Sequence, residues 1–431
     1  MKIVVIGAAS AEFGRKQVAD ILQAKELQGR GVTMSLVDVN AEALEVMVRV
    51  ARRMKAHVGS DVVIESTTDR CEALPGARYV IMAVARDRWA TWEQDFRVPL
   101  SYGFRHVLGE NGGPGALFHA LRNFEIILPI CHDIEQLCPD ALLMNFTNPE
   151  ARVLHAICQL TKVRAVGLCH GVLSALDRVV FYLQKSLADL DIVSAGMNHF
   201  YCLLQVRDRR TGRDYLPELL AKARGDMSSR SSPLFRKFAD IFGLFVFPSD
   251  DHLGEYLSYG AEFVGVKWKY GQESRKVGPV PDARGDALRQ YADGNRPADD
   301  PMVLPRSREH AIPIICDMEL GRENSHPAVN VMNTEGYIEN LPRNGIVEVP
   351  ADVSAGSIHP RHVGPIPEPI AAMIRTQFAI HNLLTEAYRT RSKKLLLQAL
   401  LLDPVVNNMT QAERLLDDML ALQAEYLPTF A

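Results

Sequence analysis

The sequence predicts an α/β protein whose first half is a doubly wound parallel sheet and whose second half is partly antiparallel, with the boundary near residue 195. Three observations carry that expectation. Short apolar runs alternate with longer helical patterns through the first half; a glycine turn joins the first such run to a helix; and the alternation stops after residue 195.

The elements follow in order. KIVVIGAA reads as a strand and AEFGRKQVADILQ as a helix; VTMSLVDVN is the next strand, followed by the helical AEALEVMVRVARRM and the strands DVVIEST and ARYVIMAVA. The strand runs are apolar on both faces, as in a parallel sheet covered by helices on each side. The rhythm continues through the helical ALFHALRNFEIILPICHDIEQL, the strand ALLMNFT, a helix starting at Asn148-Pro149 and the strand VRAVGLC. After residue 195, MNHFYCLLQVRD and RRTGRDY read as antiparallel strands meeting at a turn, and helices are expected near 216–242 and 307–322. Residues 270–306, rich in Gly, Pro, Asp and Arg, read as a long surface excursion, a lid or a mobile loop. Residues 368–425 are helical and expected to pack on the body or on a second subunit.

Composition limits the function. The chain has 431 residues, 47% of them hydrophobic and 23% charged, with a formal net charge of -4. This excludes a basic nucleic-acid binder, and no segment is long and uncharged enough to span a bilayer. Seven cysteines, an odd number without a spacing framework, read as reduced thiols in the cytoplasm.

Several residues carry candidate chemistry. The turn Gly7-Ala8-Ala9-Ser10 places backbone N–H groups and a helix start where a pyrophosphate can sit, although only Gly7 of the usual three glycines is in position and Gly14 comes late. Asp38 ends the second strand where an acid binds ribose hydroxyls, favouring NAD over NADP. Cys169 and His199 could hold one divalent metal with open positions; alternatively they are a buried thiol and a satisfied histidine. Asn145 and Asn148 end a strand facing the cofactor crevice, with helix capping as the plainer role for Asn148. Glu110 and Asn111 sit in the glycine-rich GENGGPG turn, where backbone can approach a ligand closely. In FPSDDHLGEYLSY, Asp250, Asp251, His252, Glu255 and Tyr256 offer general bases, or helix caps.

The stretches KIVVIGAAS, GENGGPGALFHALRN, CPDALLMNFTNPEARV, GLCHGV, GMNHF and GYIENLPRNGIVEVP, in that order over nearly the whole chain, together resemble the family 4 glycoside hydrolases, the NAD-dependent exceptions to two-carboxylate glycosidases. The resemblance implies a Rossmann domain over 1–195 and a lactate/malate dehydrogenase-like α+β domain over 196–431. It also implies bound NAD, a divalent metal that is usually Mn2+, a homodimer or homotetramer, and a small glycoside as the partner. The implied mechanism is hydride transfer from sugar C3, proton loss at C2, elimination of the glycosidic oxygen, then reversal with water. Cofactor contacts fall on Gly7, Ala8, Ala9, Ser10, Asp38 and Asn145. Cys169 and His199 become metal ligands and His170 the leaving-group acid. Asp250 becomes the base, with Asp251 or Tyr256 in reserve. Asn145, Asn148, Glu110, Asn111 and Arg308 become substrate contacts.

The form CHGV, with the small Gly171, is most similar to the α-galacturonidases, ahead of α-glucuronidases, α-galactosidases and α-glucosidases. Arg86, Arg88, Arg97 and Arg105 are candidates for a uronate carboxylate. Two other readings stand beside this one. The first is a 2-hydroxy acid dehydrogenase with His199 as base and Asp177-Arg178 orienting substrate; the second is an NAD-binding sensor without turnover.

Overall fold

The computed structural model describes residues 1–228, 232–266 and 283–431. Its first half holds strands β1 (Lys2–Ile6), β2 (Thr33–Val37), β3 (Val63–Thr67), β4 (Ala77–Met82), β5 (Leu142–Asn145) and β6 (Arg164–Gly167), paired in parallel in the order β3-β2-β1-β4-β5-β6. The strand order reverses between β1 and β4, which is the position of a ligand crevice in such sheets. Helices α1 (Phe13–Gln23), α2 (Ala41–Val58), α3 (Arg88–Ser101), α4 (Gly113–Leu137), α5 (Glu150–Leu160) and α6 (Gly171–Leu183) connect these strands or lead out of the last. Local chemistry sets their ends. The Asn40 side chain accepts from Ala43 N–H at the start of α2, and Gly59 closes that helix at φ +69°.

The second half adds β7 (Leu190–Met197), β8 (Phe200–Asp208), β9 (Asn324–Met332), β10 (Ile346–Ser354) and β11 (Ser357–Pro360), which continue the same sheet as β6-β9-β10-β7-β8 with β11 on β10, every pairing antiparallel. The hairpin differs from the one expected. β8 pairs with β7 across a turn at Asn198-His199, whereas RRTGRDY forms no second strand, only the bridge Arg207↔Asp214. The boundary expected at residue 195 falls inside β7. Ser and Gly in LDIVSAGM weaken its apolar pattern, so the strand was legible only through its partners.

The carboxy-terminal helices α8 (Glu368–Thr390), α9 (Lys393–Leu401) and α10 (Met409–Leu422) return to the first half, where Ile380, Leu384, Leu396 and Leu415 share a core with Leu121, Phe124 and Ile127 of α4. Each such fully buried aliphatic side chain contributes about 1.5–3 kcal/mol. Of the expected excursion at 270–306, residues 270–282 lie outside the described residues. The remainder is anchored: α7 (Ala283–Ala292) packs on α2, Tyr291 is fully buried with Arg53 over its ring at 4.6 Å, and Arg15 donates to the carbonyls of Val303 and Pro305. No helix among the described residues is long and apolar enough to cross a membrane.

Candidate active site

The loop after β1 is shaped by two glycines. Gly7 has φ +84°, and a methyl group there would sit 2.0 Å from the Ala83 carbonyl oxygen. Gly14 lies equally close to the Ala8 carbonyl, so the glycine that looked late in sequence is the one that lets α1 press against the loop. Asp38 accepts from Ala9 N–H at 3.0 Å and from Asn40 N–H at 3.0 Å, which ties the end of β2 to the loop.

The turn before α4 is gripped from within. The buried Glu255 carboxylate accepts from the backbone N–H groups of Glu110 (2.7 Å), Asn111 (2.9 Å) and Gly112 (3.4 Å), and Asp403 takes that of Gly113. Burial, and then the Glu110 charge, pushes the Glu255 carboxyl up to about 7. Glu110 itself points out of the turn to Arg88 and to Asn148, whose amide donates at 3.3 Å. Burial would raise the Glu110 carboxyl, but Arg88 and His119 outweigh it and hold it at about 2. Asn148 therefore reaches across to the turn, and the position before α5 is filled by Pro149 without a side-chain cap.

Cys169 follows β6 and His199 occupies the β7–β8 turn, with Sγ and Nε2 3.3 Å apart. His199 is buried at φ +60°, a conformation uncommon outside glycine, and its ring stacks on Phe247 at 5.3 Å. Burial, then His252, holds the His199 imidazole well below its ordinary range, and burial raises the Cys169 thiol. His252 stands edge-on to His199 at 4.7 Å and its Nδ1 bonds Asp251 at 2.9 Å. Burial opposes the charged His252 ring, but Asp251, with Glu255 and Glu110, more than compensates and its pKa is raised. His170 is exposed, with Nδ1 3.1 Å from the buried Glu309.

Four expected residues have partners within the chain. Asp250 accepts from Leu234 and Phe235 N–H at 2.9 and 3.0 Å, so it caps the short helix Pro233–Lys237 instead of facing the Cys169–His199 pair. Tyr256 is buried against Phe200 and donates to the Asn198 carbonyl. Asn145 has no exposed surface and engages Thr147 through both amide groups, shaping the turn that carries Asn148. Arg308 forks onto Asp177 at 2.7 and 2.9 Å on the surface. Arg178 turns away to Asp226, so Asp177-Arg178 cannot act together on one substrate.

Comparison with known proteins decides among the readings. The family described as "Family 4 glycosyl hydrolase" matches residues 2–184, and the one described as "Family 4 glycosyl hydrolase C-terminal domain" matches residues 194–406. The chain belongs to family 4 of the glycosyl hydrolases. It is 31% identical to an α-glucosidase of Erwinia rhapontici, over 99% of this chain and 98% of that one. It is 29% identical to an α-galactosidase of Bacillus subtilis (strain 168), over 100% and 99%. The solved 6-phospho-β-glucosidase of Thermotoga maritima with NAD and glucose-6-phosphate is similar at TM-score 0.84 and 25% identity, covering both chains fully. Membership in this family of hydrolases overturns the plain dehydrogenase reading.

The residues of this family 4 chain fit the groups its family implies. A thiolate and an imidazole on one ion, at zinc-like bond lengths, lie roughly 3.1–3.6 Å apart, and the Cys169–His199 spacing of 3.3 Å falls in that span. Among the described residues no group of three or more His, Cys, Asp and Glu side chains is arranged to hold a metal, so this pair would leave positions open. The Gly7–Gly14 loop, with Asp38 at the end of β2, has the close approach a dinucleotide needs. Sequence reasoning missed Glu309, Asp403 and the clamping role of Glu255. Each acts on a partner far away in the chain, and only Glu309 carried a sequence hint, its place beside Arg308.

Proposed function

We propose that this hydrolase cleaves the α-glycosidic bond of an unphosphorylated, neutral hexoside, an α-glucoside or α-galactoside, with NAD and a divalent cation such as Mn2+ as resident groups. The observation that carries the substrate class is charge pairing. Among the described residues, Arg88 and Arg308, two arginines expected near the substrate, have carboxylate partners in Glu110 and Asp177, and the His170 and His252 rings face Glu309 and Asp251. A phosphate or uronate is best held by an unmatched cation that can meet it with two donors. The relatives at 31% and 29% identity, an α-glucosidase and an α-galactosidase, support the same class.

When bound, NAD and the cation supply a reversible oxidation of the sugar and Lewis acidity next to it. The chain does the rest. Cys169 and His199 would hold the cation, and Asp38 with the Gly7-Ala8-Ala9-Ser10 loop the dinucleotide. His252 takes the C2 proton at Nε2, because Asp251 holds Nδ1. His170, oriented at Nδ1 by Glu309, delivers a proton from Nε2 to the departing oxygen. Glu110, fixed as an anion, and the amides of Asn111 and Asn148 accept and donate to sugar hydroxyls.

A second reading, the α-galacturonide expected from CHGV, has one observation in its favour. The Arg308–Asp177 pair is exposed, and a sugar carboxylate can displace Asp177 from the guanidinium fork. One assay separates the two: nitrophenyl α-glucoside, α-galactoside and α-galacturonide are each incubated with NAD and Mn2+, and nitrophenol and net NADH are followed. Release from a neutral substrate, dependent on both groups and without NADH accumulation, is expected. Turnover of the galacturonide alone, abolished in Arg308→Leu, would transfer the assignment to the second reading; accumulation of NADH would remove both.

A further inference from the structure

The two candidate metal ligands belong to different halves of the sheet, Cys169 following the parallel strand β6 and His199 turning between the antiparallel strands β7 and β8. Among the described residues the sheet crosses from one half to the other through the single pair Gly167↔Asn330, between β6 and β9, and within the antiparallel half the single pair Glu348↔Gly196 joins β10 to β7. With Asn330↔Glu348 between β9 and β10, these pairs form one row, Gly167–Asn330–Glu348–Gly196, running across the sheet from one ligand-bearing segment to the other. The row starts two residues before Cys169 and ends three before His199.

Its interior is polar where a sheet interior is ordinarily apolar. Asn330 Nδ2 donates to the Gly167 carbonyl at 3.4 Å and to Glu348 Oε2 at 3.2 Å. Asn198 Nδ2, on the residue next to His199, donates to the same Oε2 at 3.2 Å. Glu348, Asn330 and Asn198 are 2%, 1% and 1% exposed, so these bonds face no competition from water. The glycines at both ends leave no room for a side chain: a methyl on Gly167 would land on Glu150 Oε1, and one on Gly196 would sit 2.5 Å from the Phe200 carbonyl oxygen. Glu348 Oε1 and the Oδ1 atoms of Asn198 and Asn330 have no protein partner. For stability alone, an apolar side chain would fill this place at lower cost.

We propose that Glu348 is a positioning residue for the Cys169–His199 pair: with Asn330 and Asn198 it forms a strut across the seam that fixes the spacing of the two donors. The inference rests on the reading of Cys169 and His199 as metal ligands. One carboxylate oxygen bound from both sides ties the residue next to His199 to the strand beside β6, where the sheet itself supplies a single residue pair at each of the two crossings.

The test is direct metal binding by the full chain. Wild type, Glu348→Gln and Asn330→Ala are titrated with Co2+ alone, and the thiolate-to-metal absorption band is followed, with Cys169→Ser as the control that abolishes it. NAD affinity, which depends on the distant Gly7–Asp38 loop, reports whether the fold is intact. Loss of a residue that orients a ligand costs about 10–100-fold in metal affinity, and both variants are expected to weaken Co2+ by at least about tenfold with NAD affinity unchanged. Glu348→Gln keeps the shape of the side chain, and Asn330→Ala removes the middle of the strut should the first variant fail to fold. Co2+ affinity equal to wild type in either variant overturns the strut, as does a parallel fall in NAD affinity. Absence of the band in wild type instead removes the ligand reading, and the strut with it.

Discussion

A methyl group on Gly14 would lie 2.0 Å from the Ala8 carbonyl oxygen, a contact no small shift of a helix can relieve. Gly14→Val is therefore expected to destabilise the chain by about 1–3 kcal/mol and to weaken NAD binding, read by thermal unfolding with and without the nucleotide; an unchanged midpoint and affinity would show that the loop tolerates a side chain. Residues of this kind divide by how local their reasons are. Gly7 and Asp38 were legible because strand, turn and helix follow one another in sequence. The structural partners of Asn145, Asp250 and Tyr256, namely Thr147, the Leu234–Phe235 amides and the Asn198 carbonyl, were not legible from residue types that also suit catalysis. For Asp250 and Tyr256 those partners come from another part of the chain.

At the scale of one element, the GENGGPG turn shows how long-range contacts set a local shape. Four consecutive N–H groups, from Glu110 to Gly113, are taken by Glu255 and Asp403, from segments more than a hundred residues away. The glycines announced a turn; nothing in sequence announced its clamp. The clamp also titrates. Glu255 is raised in the folded chain from its ordinary value to about 7, so the folded state holds the proton more tightly than the unfolded one. Its contribution is fully present below pH 4.5 or so and is lost as pH rises through about 7. Relative to Glu255→Gln, wild type is expected to lose up to about 3 kcal/mol between pH 5 and pH 8, measured as the difference in unfolding midpoints; a gap that is flat or widens with pH would contradict the assignment.

Across the whole molecule, the parallel order β3-β2-β1-β4-β5-β6 was readable from apolar strands alternating with helices, because burial on both faces leaves a continuous pattern. The joining of both halves into one sheet was not readable. It depends on a row of buried polar and glycine residues, whose composition argues against a sheet interior, and on carboxy-terminal helices that fold back over the first half. The same seam brings Cys169 and His199 to 3.3 Å, beside Glu110, His170 and the Asp251–His252 pair. That constellation suits proton removal from a carbon next to an oxidised one, not the two opposed carboxylates of an ordinary glycosidase. The central claim is therefore proton exchange at C2 during hydrolysis. Turnover of the α-glucoside or α-galactoside in deuterated water with NAD and Mn2+ is expected to leave deuterium at C2 of the released sugar, seen by proton NMR; release of sugar with C2 fully protonated would contradict it.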